Sequence, residues 1–165
     1  MWSASAVRRT MPGLALAASL MLAGCTLAPV HGSSTGSTIA PIALNYAEPQ
    51  SRLEQIVYQT LGARFRSGDA TSPVVWARVS ARSSQIGLSR VASPVTDRQI
   101  DVTIVFEVTE NNTVVASGSR SATALYQTTD QSVADDAALR KAEDQAARAA
   151  ADAVRLALIA ALPAR

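Results

Sequence analysis

Leu22-Ala23-Gly24-Cys25 places the only cysteine of the chain behind two small residues and a leucine, at the close of an apolar run. A thiol in that setting can be alkylated by a diacylglyceryl group, and Ala23 and Gly24 leave room for a peptidase to reach the backbone ahead of it. Arg8 and Arg9 supply positive charge upstream. Met11 to Leu22 is an apolar stretch of about a dozen residues, too short to span a bilayer. Residues 1–24 therefore read as a lipoprotein signal peptide cleaved between Gly24 and Cys25, whose freed amine can be acylated in turn. At roughly 0.8 kcal/mol per buried methylene, one acyl chain such as palmitate holds weakly and two or three hold firmly. The mature chain is expected to be anchored to a membrane without crossing it. Thr26, not an aspartate, follows the cysteine, which favours the outer membrane with the protein on its periplasmic side. The alternative for Cys25 is a buried free thiol packing as a small hydrophobe; the joint order of charge, apolar run and small residues argues against it. The Arg8-Arg9 pair lacks the pattern that follows a twin-arginine signal.

Little else in the chain is equipped for chemistry. His31 is the only histidine and lies just after the lipidation site, so there is no triad, no metal-ligand cluster and no paired cysteine motif. Asp135-Asp136 are adjacent acids at a helix start, where they serve the helix dipole. The spacing of Gly62, Gly68 and Gly87 matches no phosphate loop. The reading is a non-enzyme with no cofactor and no metal. One surface pattern invites a ligand: Trp76, Arg78, Ser80 and Arg82 alternate along one face of a strand. Guanidinium groups at Arg78 and Arg82 can hold a phosphate or carboxylate, with Trp76 as an apolar platform. The plainer reading of the same residues is a solvated or partly covered sheet face.

Composition narrows the partners. The 165-residue chain carries 15 basic and 13 acidic residues, but Arg8 and Arg9 leave with the signal, so the mature 141 residues hold 13 of each. The basic pI near 9.1 belongs to the precursor, and a nucleic-acid partner loses its only global support. With Cys25 lipidated no internal disulfide can form, so the fold must rest on its core. A chain of this size makes one domain.

The elements that position these residues follow from periodicity. Residues 25–38, rich in Gly, Ser, Thr and Pro, read as a flexible tether. Ile39 to Asn45 is an edge strand at best, because Pro41 lies inside it. Ser51 with Glu54 has capping-box spacing and opens a helix. Leu53, Ile56, Val57, Leu61 and Phe65 form its apolar face, Arg64 and Arg66 its last turn, and Gly68 its stop. From Val74 the period becomes two, with Val75, Ala77, Val79 and Ala81 facing one way. The parity of Ile86 and Leu88 predicts a bulge or bend near Ser83-Ser84. Ile100, Val102, Ile104, Phe106 and Val108 give the strongest alternation, and Glu110-Asn111-Asn112-Thr113 a hairpin turn. The return limb from Val114 to Tyr126, broken by Gly118 and rich in serine and alanine, is expected to be less regular. Ser132 with Asp135 caps a last helix to Leu162, about 30 residues or roughly 45 Å long. Its small face is expected at Leu139, Ala142, Ala146, Ala149, Ala153, Leu156 and Ala160.

This order of lipidated cysteine, tether, short strand, capped helix, antiparallel strands and long terminal helix resembles the alphaproteobacterial branch of the LptE family of outer-membrane lipoproteins. The resemblance is best in Ser121-Ala122-Thr123-Ala124-Leu125-Tyr126, at Asp130 and Ser132-Val133-Ala134, and in the Ala142 to Arg155 run of acid, alanine and arginine. After the cysteine, Pro29 keeps the family spacing, while Leu27 and Val30 stand where aromatics are common. The resemblance implies an α+β domain over residues 39–165, with a four-stranded mixed or antiparallel sheet and two α-helices packed on one face. It implies that the protein plugs and helps assemble an LptD-like outer-membrane β-barrel and binds lipopolysaccharide, whose phosphates suit arginines such as Arg78 and Arg82. A periplasmic accessory lipoprotein of an ABC-type phospholipid transport system is the alternative with the same elements.

Overall fold

The computed structural model describes residues 42–86 and 95–162, all within the compact unit Ala40–Arg165. Cys25 and the tether lie outside the described residues, as do Pro41, Gly87 and Leu88. In chain order the elements are β1 (Ala43–Tyr46), α1 (Arg52–Gly62), β2 (Arg66–Ser67), β3 (Val74–Gln85), β4 (Thr96–Glu110), β5 (Thr113–Thr128) and α2 (Ser132–Ala161). They form an α+β fold with one mixed sheet in the order β2-β1-β3-β4-β5. The sheet has five strands, not four. The extra strand is β2, which pairs parallel to β1 through Ala43↔Arg66 and Leu44↔Ser67.

That extra strand also displaces the expected helix end. α1 stops at Gly62, where the N–H of Ala63 donates to the carbonyls of Gln59 and Leu61. Arg66 consequently sits in a strand, and Arg64 lies outside the helix altogether. The N-terminus forms as its residues predict: the Ser51 hydroxyl accepts from Glu54 N at 3.2 Å, and the Glu54 carboxylate accepts in return from Gln50 N at 2.7 Å. β1 is not an edge. It begins beyond Pro41 and pairs with β2 on one side and, in parallel, with β3 on the other. Between β2 and β3 the chain changes sides of β1 through a tight loop. There Asp69 accepts from the N–H and hydroxyl of Thr71 and the hydroxyl of Ser72. A side chain at Gly68 would begin 2.5 Å from Ser72 Cβ, which is why glycine stands there.

β3, β4 and β5 make an antiparallel meander. The β3–β4 register runs unshifted from Val74↔Thr109 to Gln85↔Arg98, so no bulge occurs at Ser83-Ser84. Ile86 stays on the Trp76 face and its N–H donates to Asp97 O. At the hairpin tip Asn111 and Asn112 both take positive φ, 50° and 61°, the left-handed pair that a two-residue turn requires. β5 is a continuous strand of 16 residues. Gly118 does not break it; its missing side chain leaves space for the Phe106 ring, which a Cβ would meet at 3.1 Å. The one irregularity is a bulge in β5: Ala116 pairs with Val108 and Val114 with Thr109, leaving Val115 unpaired.

The alternating residues of β4 form the floor of the core, with Ile100, Val102, Ile104, Phe106 and Val108 all buried. Val57, Tyr58 and Leu61 of α1 pack there with Leu44, Val75 and Ala77. α2 begins one residue after its cap, Gln131, which makes no side-chain cap bond. Asp135 instead accepts from the N–H of Thr129 and so ties down the entering turn. The buried stripe of α2 is Ala142, Ala146, Ala147, Ala150, Ala151, Val154 and Leu158. Of the expected stripe, Ala142 and Ala146 are buried and Leu139 and Ala153 partly buried, while Ala149, Leu156 and Ala160 are exposed. The difference has a physical cause: in an alanine-rich helix hydrophobic contrast is low, and the large residues Val154 and Leu158 decide the inward face. Arg52 at the start of α1 donates to both Glu143 and Asp144 of α2 and pins the two helices together.

Candidate functional site

Because both helices pack against the face that carries Val75, Ile104 and Phe106, the opposite face of the sheet is covered by no described element. Register fixes its composition. Across β3, β4 and β5 the rows read Trp76, Glu107, Ser117; then Arg78, Val105, Ser119; then Ser80, Thr103, Ser121; then Arg82, Asp101, Thr123. Trp76 is 42% exposed and Val105 50%. The surface is thus an array of hydroxyl groups with an apolar corner at Trp76 and Val105.

The sequence-predicted residues Trp76, Arg78 and Arg82 do share this face, but they do not converge on one point. The Arg78 guanidinium lies over the Trp76 ring, 5.5 Å from its centroid, so the platform is already occupied by a cation. Arg82 is four residues further along, about 13 Å at 3.3–3.4 Å per residue. It is paired in register with Asp101 and holds no ion pair among the described residues. The Asp101 carboxylate accepts instead from Thr123 Oγ1 at 2.7 Å and from Gln99 Nε2 at 2.9 and 3.0 Å. Those hydrogen bonds, Thr123 first, hold the carboxyl below the usual aspartate range and keep it anionic. The face therefore offers one guanidinium stacked on an indole, one without an ion pair among the described residues, and a fixed acid between hydroxyls. That is a surface for hydrogen bonding over an area, not a cleft for a single anion.

The serines and threonine of β5 join this face through the β4–β5 register. Their signal is the alternation Ser117, Ser119, Ser121, Thr123, which small side chains and Gly118 disguise as an irregular limb. Elsewhere, no group of three or more His, Cys, Asp or Glu side chains among the described residues is arranged to hold a metal ion. No helix among the described residues is long and apolar enough to cross a membrane.

No protein-family model and no curated protein matches the chain. Its fold does have solved counterparts. A candidate lipoprotein from Caulobacter crescentus is similar with a TM-score of 0.54 at 18% identity, over 68% of this chain and 85% of that one. The rare lipoprotein B from Shewanella oneidensis is similar with a TM-score of 0.50 at 14% identity, over 72% of this chain and 92% of that one. At such identities the likeness is one of fold. The chain shares its α+β architecture with proteins described as bacterial lipoproteins.

Proposed function

We propose that this chain is a lipoprotein of the outer membrane, anchored through Cys25 on the periplasmic side, that seats in an LptD-like β-barrel as plug and assembly factor and binds lipopolysaccharide. The observation that carries the reading is the uncovered sheet face. A two-layer fold that leaves an array of hydroxyls and a Trp–Arg stack in the open is suited to lying against the polar inner wall of a large barrel. The Leu22 to Cys25 signal supplies the anchor, and the fold shared with lipoproteins agrees with it. Catalysis has no part in this reading.

Capture of the full chain from detergent-solubilised outer membrane tests it. A large β-barrel is expected to copurify; recovery of ABC-transporter subunits in its place would move the protein to phospholipid transport. The anchor is tested separately by Cys25→Ser, because oxygen cannot replace the thiol that accepts the lipid. Metabolic labelling with a fatty acid is expected to mark the wild-type chain and leave the serine variant unmarked as an uncleaved precursor.

A further inference from the structure

The two sides of the domain carry different charge. On the open sheet face the strand period sets Arg78 and Arg82 among Asp97, Asp101 and Glu107, so cations and acids nearly balance there. The outer surface of α2 is different. Arg140, Lys141, Asp144, Gln145 and Arg148 line a shallow trough of about 570 Å³, and its three cations are all exposed. Arg52 explains their excess. It reaches over from α1 to Glu143 and Asp144 and so occupies the two acids that stand three or four residues from the cations of α2, the spacing at which helical side chains pair. Arg140, Lys141 and Arg148 are left with no ion pair among the described residues, and Asp152, one turn beyond Arg148, forms none with it.

We propose that this surface of α2 docks against an acidic stretch of the inner wall of the barrel that seats the domain, with Arg140, Lys141 and Arg148 met by carboxylates of that partner. The inference rests on the barrel reading given above and adds the chemistry of the wall. A domain inside a lumen is enclosed on both sides: with its sheet face against one wall, its helix layer meets the wall opposite. Cations brought out of bulk water need counter-charges, because a charge left unpaired loses solvation that nothing returns. Complementary potential across the contact supplies them and fixes the register of the two surfaces. The sheet face, nearly balanced, makes no such demand, so α2 decides how the domain is oriented in the lumen.

Geometry favours a wall over a small anion. Arg140 and Arg148 are eight residues apart on one helix, about 12 Å at 1.5 Å per residue, and the helix surface between them is convex. Three cations spread along such a ridge do not converge on one phosphate as a bidentate clamp does; they match acids spaced along a concave surface. Asp144 lies between them in the trough, which weakens it further as a seat for a single anion and leaves it compatible with separate carboxylates on either side.

Lys141 is the only lysine of the chain, which makes the contact readable. In the full-length, membrane-anchored chain the proposed anchor acylates the terminal amine. Zero-length carbodiimide coupling, which joins an amine to a carboxylate in contact with it, therefore reports from Lys141 alone among this chain's amines. The complex captured from detergent-solubilised outer membrane is expected to yield a linked peptide with Lys141 on one side and an Asp or Glu of the barrel on the other. Lys141→Arg, which keeps the charge, is expected to lose that link and retain the barrel. Arg140→Glu, Lys141→Glu and Arg148→Glu together are expected to cut barrel recovery about tenfold or more with an unchanged melting curve, because like charges set face to face across an interface are strongly disfavoured. Recovery at the wild-type level by that variant would overturn the proposal and leave the barrel reading intact, as would a wild-type complex with no link from Lys141. Loss of lipopolysaccharide from the variant with the barrel retained would overturn it as well and give the trough to phosphates. A wild-type chain that brings down no barrel would overturn both.

Discussion

Phe106 shows most directly how a single residue carries this fold. Its ring is buried between the sheet and α2, and Gly118 of the neighbouring strand is reduced to a hydrogen so that the ring can lie there. Phe106→Ala is expected to cost roughly 3–5 kcal/mol through lost burial and the cavity left behind. Thr103→Ala, on the open face, is expected to cost far less, and urea melts of the two variants check the assignment of faces. Tyr46 is the opposite case, a side chain whose polar atom is poorly served. Its hydroxyl is buried without a hydrogen-bond partner among the described residues, the ring lies 5.6 Å from that of Tyr58, and burial pushes its pKa from 10.0 to about 12. For an acid whose folded pKa is raised, the unfolded chain ionises first as pH climbs. Stability is therefore intact below about 10 and falls between about 10 and about 12. Tyr46→Phe is expected to hold or raise the melting temperature at pH 7, since it removes an unsatisfied group. It should also flatten the alkaline loss in a melting series from pH 8 to 12, with a residue remaining from Tyr58, whose pKa burial also raises.

At the scale of elements, the join between α1 and α2 rests on buried aliphatic contact, with Arg52 as an outer clasp. The Arg52 side chain is 46% exposed and reaches Glu143 and Asp144. Arg52→Ala is expected to lower stability by at most about 1 kcal/mol, and by less in high salt, because exposed ion pairs are screened; chemical melts at two ionic strengths measure it. Such a clasp was invisible in the sequence, since its partners are more than ninety residues away. Elements with strong local signals were legible: the Ser51 cap, the β4 alternation, the Asn-Asn turn and the length of α2 all emerge from neighbouring side chains. What was missed depends on distant or weak contrasts. Arg66-Ser67 becomes a strand only because β1 lies beside it. β5 is regular because β4 imposes its ladder on residues of poor strand propensity. The inward stripe of α2 was misplaced by a fraction of a turn where alanine surrounds the axis. Of the candidate site, the shared face of Trp76, Arg78 and Arg82 was legible from parity alone, whereas the stacking of Arg78 on Trp76 and the fixing of Asp101 by Thr123 require three dimensions.

For the whole molecule, the division of labour between the two faces of the sheet is what the proposed function uses. If lipopolysaccharide meets the open face, Arg78→Glu with Arg82→Glu is expected to weaken its association by reversing two charges opposite phosphates. The melting curve should remain normal, because neither side chain enters the core; titration at low and moderate salt decides it. Unchanged affinity would assign the face to the barrel wall. The anchor proposed at Cys25, finally, would give the side-switching loop around β1 a mechanical meaning. Any pull arriving through the chain ahead of residue 42 enters the sheet at β1, which is gripped on both sides by parallel neighbours. Arg66 and Gly68 donate to Ile42 and Leu44 on one side, and Asn45 and Ala47 donate to Pro73 and Val75 on the other. Strands flanked in parallel must slide past both neighbours together when drawn from the end, so these bonds bear the load in shear and share it. Under the proposed anchor, the domain would be fastened to its membrane at a strand held from both sides against unzipping.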